Sequence, residues 1–407
     1  MYRVLFSALL FCCVCASVSA DIEVWPVDPL INVFQDAEPL RPGAAVAEAA
    51  RGETATLQVV ARADAAIAGL RAEASPLVRG GGEDKLCASA VRFVGYVPVD
   101  RGMHHTAPDQ LREPPADFPD PLLEVECMDV EAGNAQPIWV TVPIPKDTPA
   151  GRYHGTLKLT GAIGGETVTA AQPLRVRVYD VTVGDARLWV TNWFGVNARH
   201  MEIELDGDKE AYYALLRRFA ENMAAHRQNV AKISPLGLVE ITVADEGKLA
   251  FDFARFDRWV DIFQEAGVIG MIEGAHIGGR SGGWESPFVV RIYRERDGTV
   301  SGGRVDPASP EADAFYAQFF PALVAHLKEK GWLDQYVQHL ADEPVHKNID
   351  SYRALAGLAR RHAPELRTID ACHTKELVGA MDVWVPQLNF VHHDYDHYRA
   401  RQKAGDE

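Results

Sequence analysis

The hydrophobic period of this chain changes once, around Asp180–Asp185, and that change limits the folds open to it. Upstream, Thr54–Val60, Val91–Val97, Ile138–Val142, Tyr153–Leu159 and Leu174–Val178 alternate polar and apolar residues. Alternation at period two turns one face of a strand to a core and the other to water. Clusters of Gly, Pro and Asp separate the runs, with Pro145–Gly151 a compact turn and Gly161–Glu166 a hairpin loop. An antiparallel β-sandwich is therefore expected over residues 21–183. His104, His105 and the proline-rich run Pro108–Pro121 read as an irregular surface insertion.

Downstream, strands alternate with amphipathic helices. Leu188–Phe194, Asn229–Ile233, Val268–Ile272, Tyr336–Ala341, Arg367–Asp370 and Val383–Leu388 read as strands. Glu210–His226, Phe253–Ala266, Glu311–Lys330 and Ile349–His362 read as helices. Such a series builds a parallel sheet with helical crossovers. The expected architecture is multidomain: the sandwich, then a (β/α)8 TIM-type barrel over 184–407. The pattern stops after six strands, so the barrel is expected to be C-terminally incomplete. An open doubly wound sheet would carry a glycine-rich nucleotide turn after its first strand, and Trp193-Phe-Gly-Val is not one.

Charge and cysteines narrow the function classes. A net charge of −16 disfavours nucleic acid as a partner. Residues 1–20 read as a secretory signal, with Arg3 as the positive start, an apolar run from Val4 to Cys15, and cleavage after Ala20. That run is too short to span a bilayer comfortably, so the mature chain is expected to lack an integral membrane segment and to be secreted or periplasmic. Cys87, Cys127 and Cys372 remain after cleavage. None has metal-ligand spacing; Cys87 and Cys127 either pair or are buried as small hydrophobes.

The chemistry concentrates where the run Tyr336–Ala341 ends in Asp342-Glu343-Pro344. In a parallel barrel the carboxyl ends of the strands meet the substrate. Two adjacent acids there point to glycosidic chemistry, provided the backbone turns, because side chains alternate along a strand. The alternative, an acid capping the next helix, is weaker because Asn348 and Asp350 lie nearer that helix.

His339-Leu-Ala-Asp-Glu-Pro344, a preceding sandwich and Trp384-Val-Pro-Gln-Leu388 together resemble glycoside hydrolase family 123. The resemblance implies an exo-acting β-N-acetylgalactosaminidase that acts on a glycan or glycoconjugate, with no cofactor and no metal. It assigns Asp342 to orienting the substrate's 2-acetamido group and Glu343 to general acid/base work, with the Glu343 pKa raised. Other strand ends offer substrate contacts: Asn192, Trp193, His276, His339, Asp370, Trp384, Gln387 and Asn389. His392-His393-Asp394 could form a metal set, but adjacent histidines in a strand point to opposite faces. The loop Gly278–Glu285 reads as a mobile rim with Trp284 as a lid residue. Two other readings stay open: a conventional two-carboxylate retaining glycosidase, and a non-catalytic carbohydrate-binding protein.

Overall fold

The computed structural model describes residues 21–102, 110–184, 187–193, 195, 209–244 and 248–407. The expected signal at residues 1–20, His104 and His105 lie outside the described residues. The chain divides into two compact units, Met1–Asp185 and Ala186–Glu407.

The first unit holds two sheets. One runs Glu23–Val27, Thr54–Arg62, Gln136–Pro143, Ala90–Val99, Ala116–Leu123, all antiparallel. The other runs Ala45–Arg51, Glu166–Thr182, Gly151–Ile163, Ile67–Ala74, Met128–Val130, with one parallel pair. Inward residues of both sheets share one apolar cluster, including Leu57, Val59, Ile138, Val140, Leu157 and Val176. The alternation read from the sequence is what supplies that face. Gly164 and Gly165, at φ 61° and 89°, close the long Gly151–Thr182 hairpin with the left-handed pair that a tight two-residue turn requires. The expected irregular insertion contains a strand, Ala116–Leu123. Its prolines are accommodated because it lies at the sheet edge, where missing donors cost least. Cys87, Cys127 and Cys372 are free thiols.

The second unit is built on a five-stranded parallel sheet, a half-barrel. Its order is Val230–Ile233, Met271–Gly274, Tyr336–His339, Arg367–Cys372, Val383–Pro386. The expected strand Leu188–Phe194 is reduced to one bridge, Thr191 to Val230. One face of the sheet packs against helices Lys209–Ala225, Ala254–Glu265, Pro310–Lys330 and Ile349–His362 in a large aromatic-rich core. Pro310–Lys330 shows how sharply the sequence sets a helix. Ser309 accepts from the Ala312 amide, Pro310 opens the first turn, and Gly331 at φ 71° ends the last. The opposite face carries a small apolar layer, Val230, Met271, Val337 and Ile369. Insertions between strands add a hairpin, Glu240–Val243 with Leu249–Asp252, and a three-stranded sheet, Gly278–Arg280, Phe288–Arg296, Thr299–Val305.

Candidate active site

Above the apolar layer the strands become charged. Lys232 and Glu273 sit within otherwise apolar four-residue strands, and His339 and Asp370 within short strands that also carry Gln338, Arg367 and Thr368. Glu273, His339 and Asp370 are no more than 1% exposed. His339 Nδ1 lies 2.8 Å from Glu273 Oε1, and Nε2 lies 2.9 Å from Asp370 Oδ1. A ring whose two nitrogens both face carboxylates must donate from both, so it is an imidazolium. Burial alone would push its pKa down; the bonds to Asp370 and Glu273 outweigh that and carry it up to about 9. The chain of bonds extends both ways. Thr191 Oγ1 donates to Glu273 Oε2 at 3.0 Å, and the Ala341 amide donates to Asp370 Oδ2 at 3.0 Å. The last bond fixes the backbone immediately before Asp342.

There the chain turns. Glu343 adopts φ 47°, a left-handed conformation that a non-glycine residue rarely takes and that costs roughly 1–3 kcal/mol. This turn is the break in alternation that two adjacent acids need in order to share a site. Arg280 Nη2 donates to the Glu343 carbonyl at 2.8 Å and so holds the turn. Both acids remain partly open to solvent, and Glu343 Oε1 lies 3.1 Å from His373 Nε2. The carboxyl pushed above the usual range is that of Asp342: burial and the Glu343 and Asp370 charges raise it, against Arg280 and His339. The expectation had placed that shift on Glu343.

Three expected residues meet around this point. The Trp193 ring lies 5.0 Å from His339 and 5.2 Å from His276, and His276 lies 4.2 Å from His339. Lys232 Nζ stands 3.3 Å over the Trp193 ring. Burial lowers the Lys232 pKa against the pull of Glu273, Asp342 and Asp370. Burial, then the His339 and Lys232 charges, push His276 down to about 2, so it is neutral. Trp193 and Lys232 line a cavity of ≈ 440 Å³ with Ser234, Leu238, Trp259 and Ala275. That lies within the range of small-ligand sites, about 300–1,000 Å³.

The other expected residues fall elsewhere. Asn192 is exposed next to Trp193. Trp384 is 7% exposed and packs on the helix side of the sheet against His397 and Tyr398, donating its indole N–H to Asp406 at 2.8 Å. Its place in the strand turns it to the helices, so it is a packing residue and not a sugar platform. Gln387 and Asn389 are exposed just past the last strand, and their side chains make no hydrogen bond among the described residues. His392 and His393 do not diverge. They lie in a turn with ring centroids 3.7 Å apart, while Asp394 pairs with Lys375 at 2.7 Å. Among the described residues no group of three or more His, Cys, Asp or Glu could hold a metal.

The expected mobile rim is tied down. Arg280 Nε donates to the Trp284 carbonyl at 2.7 Å and its guanidinium covers the Trp284 ring at 4.0 Å. Buried Asn348, rather than capping its helix, donates to the carbonyls of Trp284 and Ser286 and accepts from the Val345 amide. Sequence reasoning passed over Lys232, Glu273 and Arg280. The signal available for the first two was a charge inside a short apolar strand.

Residues 198–407 match the family model described as glycoside hydrolase 123, catalytic domain, and residues 36–161 match the glycoside hydrolase 123 N-terminal domain. Among solved structures, a family 123 glycoside hydrolase from Clostridium perfringens, studied for glycolipid glycan hydrolysis, superposes with a TM-score of 0.72. It is 14% identical and covers 95% of this chain and 71% of its own. A Parabacteroides merdae β-glucuronidase aligns at 12% identity over 87% of this chain and 36% of its own, with a TM-score of 0.29. No curated protein matches the chain.

Proposed function

The chain belongs to glycoside hydrolase family 123 and is a glycosidase, and from that premise we propose that it removes terminal β-linked N-acetylgalactosamine by substrate-assisted retaining catalysis. The observation that carries the reading is the turned pair Asp342–Glu343. Most glycosidases set two carboxylates on opposite sides of the sugar, about 5 Å or more apart. Adjacent acids suit a different division of labour. The 2-acetamido oxygen bonds to the anomeric carbon as the glycosidic bond breaks, and Glu343 gives the leaving oxygen its proton. Asp342 holds the acetamido N–H and stabilises the charge of the oxazoline. Water then adds to the anomeric carbon, Glu343 takes its proton, and the oxazoline opens. His373 orients Glu343, and the Glu273–His339–Asp370 chain fixes the backbone that presents both acids. Trp193 offers the sugar an aromatic face.

The half-barrel is read as part of a (β/α)8 barrel, the first unit as a β-sandwich, and the leader at 1–20 as a secretion signal. The glycans of glycolipids are the candidate natural substrates, by likeness to the Clostridium perfringens enzyme. The test is hydrolysis of a chromogenic β-N-acetylgalactosaminide by the full chain, with Asp342→Asn and Glu343→Gln alongside. Turnover with inhibition by a thiazoline mimic of the oxazoline supports the reading. Hydrolysis of plain β-galactosides at the same rate replaces it with the two-carboxylate route.

A further inference from the structure

The sheet beside the site carries a pair of arginines that the proposed reaction does not use. Arg291 and Arg304 stand directly opposite each other across the antiparallel strands Phe288–Arg296 and Thr299–Val305. Val290 and Ile292 are buried on either side of Arg291, so alternation turns Arg291, and its partner Arg304, to the opposite face. Like charges directly opposite in a sheet repel and cost stability. The arrangement is not a by-product of crowded arginines in a basic chain, because the net charge is −16. Several other arginines of the unit have a carboxylate partner, among them Arg217 with Glu265, Arg258 with Glu210 and Arg360 with Asp382, while Arg218, Arg255 and Arg294 lie on three separate elements and face no like charge across a strand pair. Arg291 and Arg304 have no ion pair or side-chain hydrogen bond among the described residues.

Both line a cavity of ≈ 130 Å³ with Ser234, His276, Gly278 and Gly279. No carboxylate borders it among the described residues. The Arg304 Nη2 lies 3.4 Å from where a Cβ on Gly279 would sit, so the guanidinium reaches the cavity wall. The Arg291 backbone is pinned, its amide donating to Ile277 and its carbonyl accepting from the Tyr316 hydroxyl. His276 joins this cavity to the site: its ring lies against Trp193 and His339, and its buried Nε2 has no partner among the described residues. At ≈ 130 Å³ the space is small beside the about 300–1,000 Å³ of sites that hold a whole ligand, so it takes a substituent rather than a ring.

We propose that Arg291 and Arg304 form a subsite for an anionic substituent, a sulfate ester or a carboxylate, on the glycan cleaved at Asp342–Glu343. Two forked guanidiniums bind such oxygens with charge-assisted hydrogen bonds, and the bound anion relieves their repulsion. The inference rests on the glycosidase reading above and specifies its substrate class.

The test uses two matched substrate pairs, each a β-N-acetylgalactosaminide with and without one acidic group, sulfate in one pair and carboxylate in the other. The full-length enzyme is expected to show a kcat/KM ratio of acidic to neutral substrate on the order of ten in at least one pair. Which pair responds identifies the source of the charge. In Arg291→Gln/Arg304→Gln the ratio is expected to fall toward one, and in Arg304→Glu below one. A wild-type ratio at or below one in both pairs overturns the proposal, as does a ratio unchanged in both variants. A binding readout keeps the two hypotheses separate. Inorganic sulfate should raise the Tm of wild type above that in chloride of equal ionic strength, and should not do so in Arg304→Glu. If no glycoside is turned over, the function falls while the sulfate comparison still decides the subsite. If neutral glycosides alone are cleaved and sulfate has no effect, only the subsite falls.

Discussion

Among the described residues the first unit buries neutral polar side chains, and the second buries charged ones as well. In the first, the deeply buried polar residues include Gln58, Gln136 and Gln172, each at most 4% exposed. Each donates its amide to two backbone carbonyls: Asp28 and Ile31, Val94 and Pro137, Gly43 and Pro173. In the second unit the equally buried groups include the charged Glu273, His339 and Asp370 beside the neutral Gln338, Asn348 and Thr368. A neutral amide exchanges water for carbonyls and leaves no field behind. A buried ionic chain costs far more desolvation and contributes little net stability over apolar packing. It persists three residues from Asp342, where its field acts on the proposed catalytic pair. Gln338, next to His339, follows the amide pattern, donating to Ala275 and His339. The charge therefore marks the mouth of the site, not the unit as a whole.

The sharpest way to break this comparison is at Glu343. Glu343→Gln should lower kcat by about 10²–10⁴-fold on a chromogenic β-N-acetylgalactosaminide, the usual worth of general acid/base catalysis. Its Tm should hardly move, since the side chain is partly exposed. Retained turnover would make the charged layer structural, like the glutamines. Next comes His339→Ala, which leaves two carboxylates buried without a counter-charge. A loss of about 3–5 kcal/mol is expected in urea unfolding of the second unit. Gln136→Ala strands two backbone carbonyls and should cost about 1–3 kcal/mol. If the two losses are equal, the proposed contrast between charge and amide is wrong.

What was legible in the sequence follows the same division. The glutamines lie in strands whose alternation was plain, and five of the first unit's strands were readable from period two alone. Ala116–Leu123 was not, because Pro119 and Pro121 mask a strand whose edge position only the pairing reveals. In the second unit the four helices and the five parallel strands followed from periodicity. The stretch Leu188–Phe194 has strand composition, but among its described residues the one bridge is at Thr191, beside the bonds Val190 accepts from Asn229 and Val230, since neighbours rather than propensity decide pairing. Asp342 and Glu343 were visible as an apolar run ending in acids. Lys232 and Arg280 were not, because their roles come from contacts across other strands and loops. Trp384 was offered as a sugar contact because the run Val383–Leu388 does not say which of its faces meets the helices, and the indole turns to them.

Protonation sharpens the contrast further. His339 is held up to about 9 against an ordinary 6.5, so folding favours its charged form. That contribution is complete below about pH 6.5 and is lost as pH rises through about 9, about 3 kcal/mol in all. Urea midpoints should therefore fall across this window in wild type and stay flat in His339→Asn. Gln136→Ala should keep the wild-type slope. A flat wild-type profile would mean that His339 is neutral. At the acid end, the proposed mechanism needs Asp342 ionised to stabilise the oxazoline, and its raised pKa is expected to move the acid limb of kcat above pH 3.8. Arg280 opposes that rise, so Arg280→Gln should move the limb upward again; a downward shift would assign the limb to another group.

The smallest expected effect tests the boundary of the charged layer. Trp384 lies in the last parallel strand, level with Asp370 in register, yet its indole is spent on Asp406 and on packing against the helix Tyr395–Ala404. Trp384→Phe keeps most of the apolar contact and removes one hydrogen bond to a carboxylate. The second unit should lose about 1.5–3 kcal/mol while kcat/KM stays within about twofold, because no contact reaches the acids. Trp193→Phe is the matched control, since that ring touches His339 and His276 and lies under Lys232. It should raise KM with little change in unfolding. If Trp384→Phe instead raises KM and spares stability, the last strand presents its tryptophan to the sugar, and the division between a packing side and a reacting side of this sheet fails.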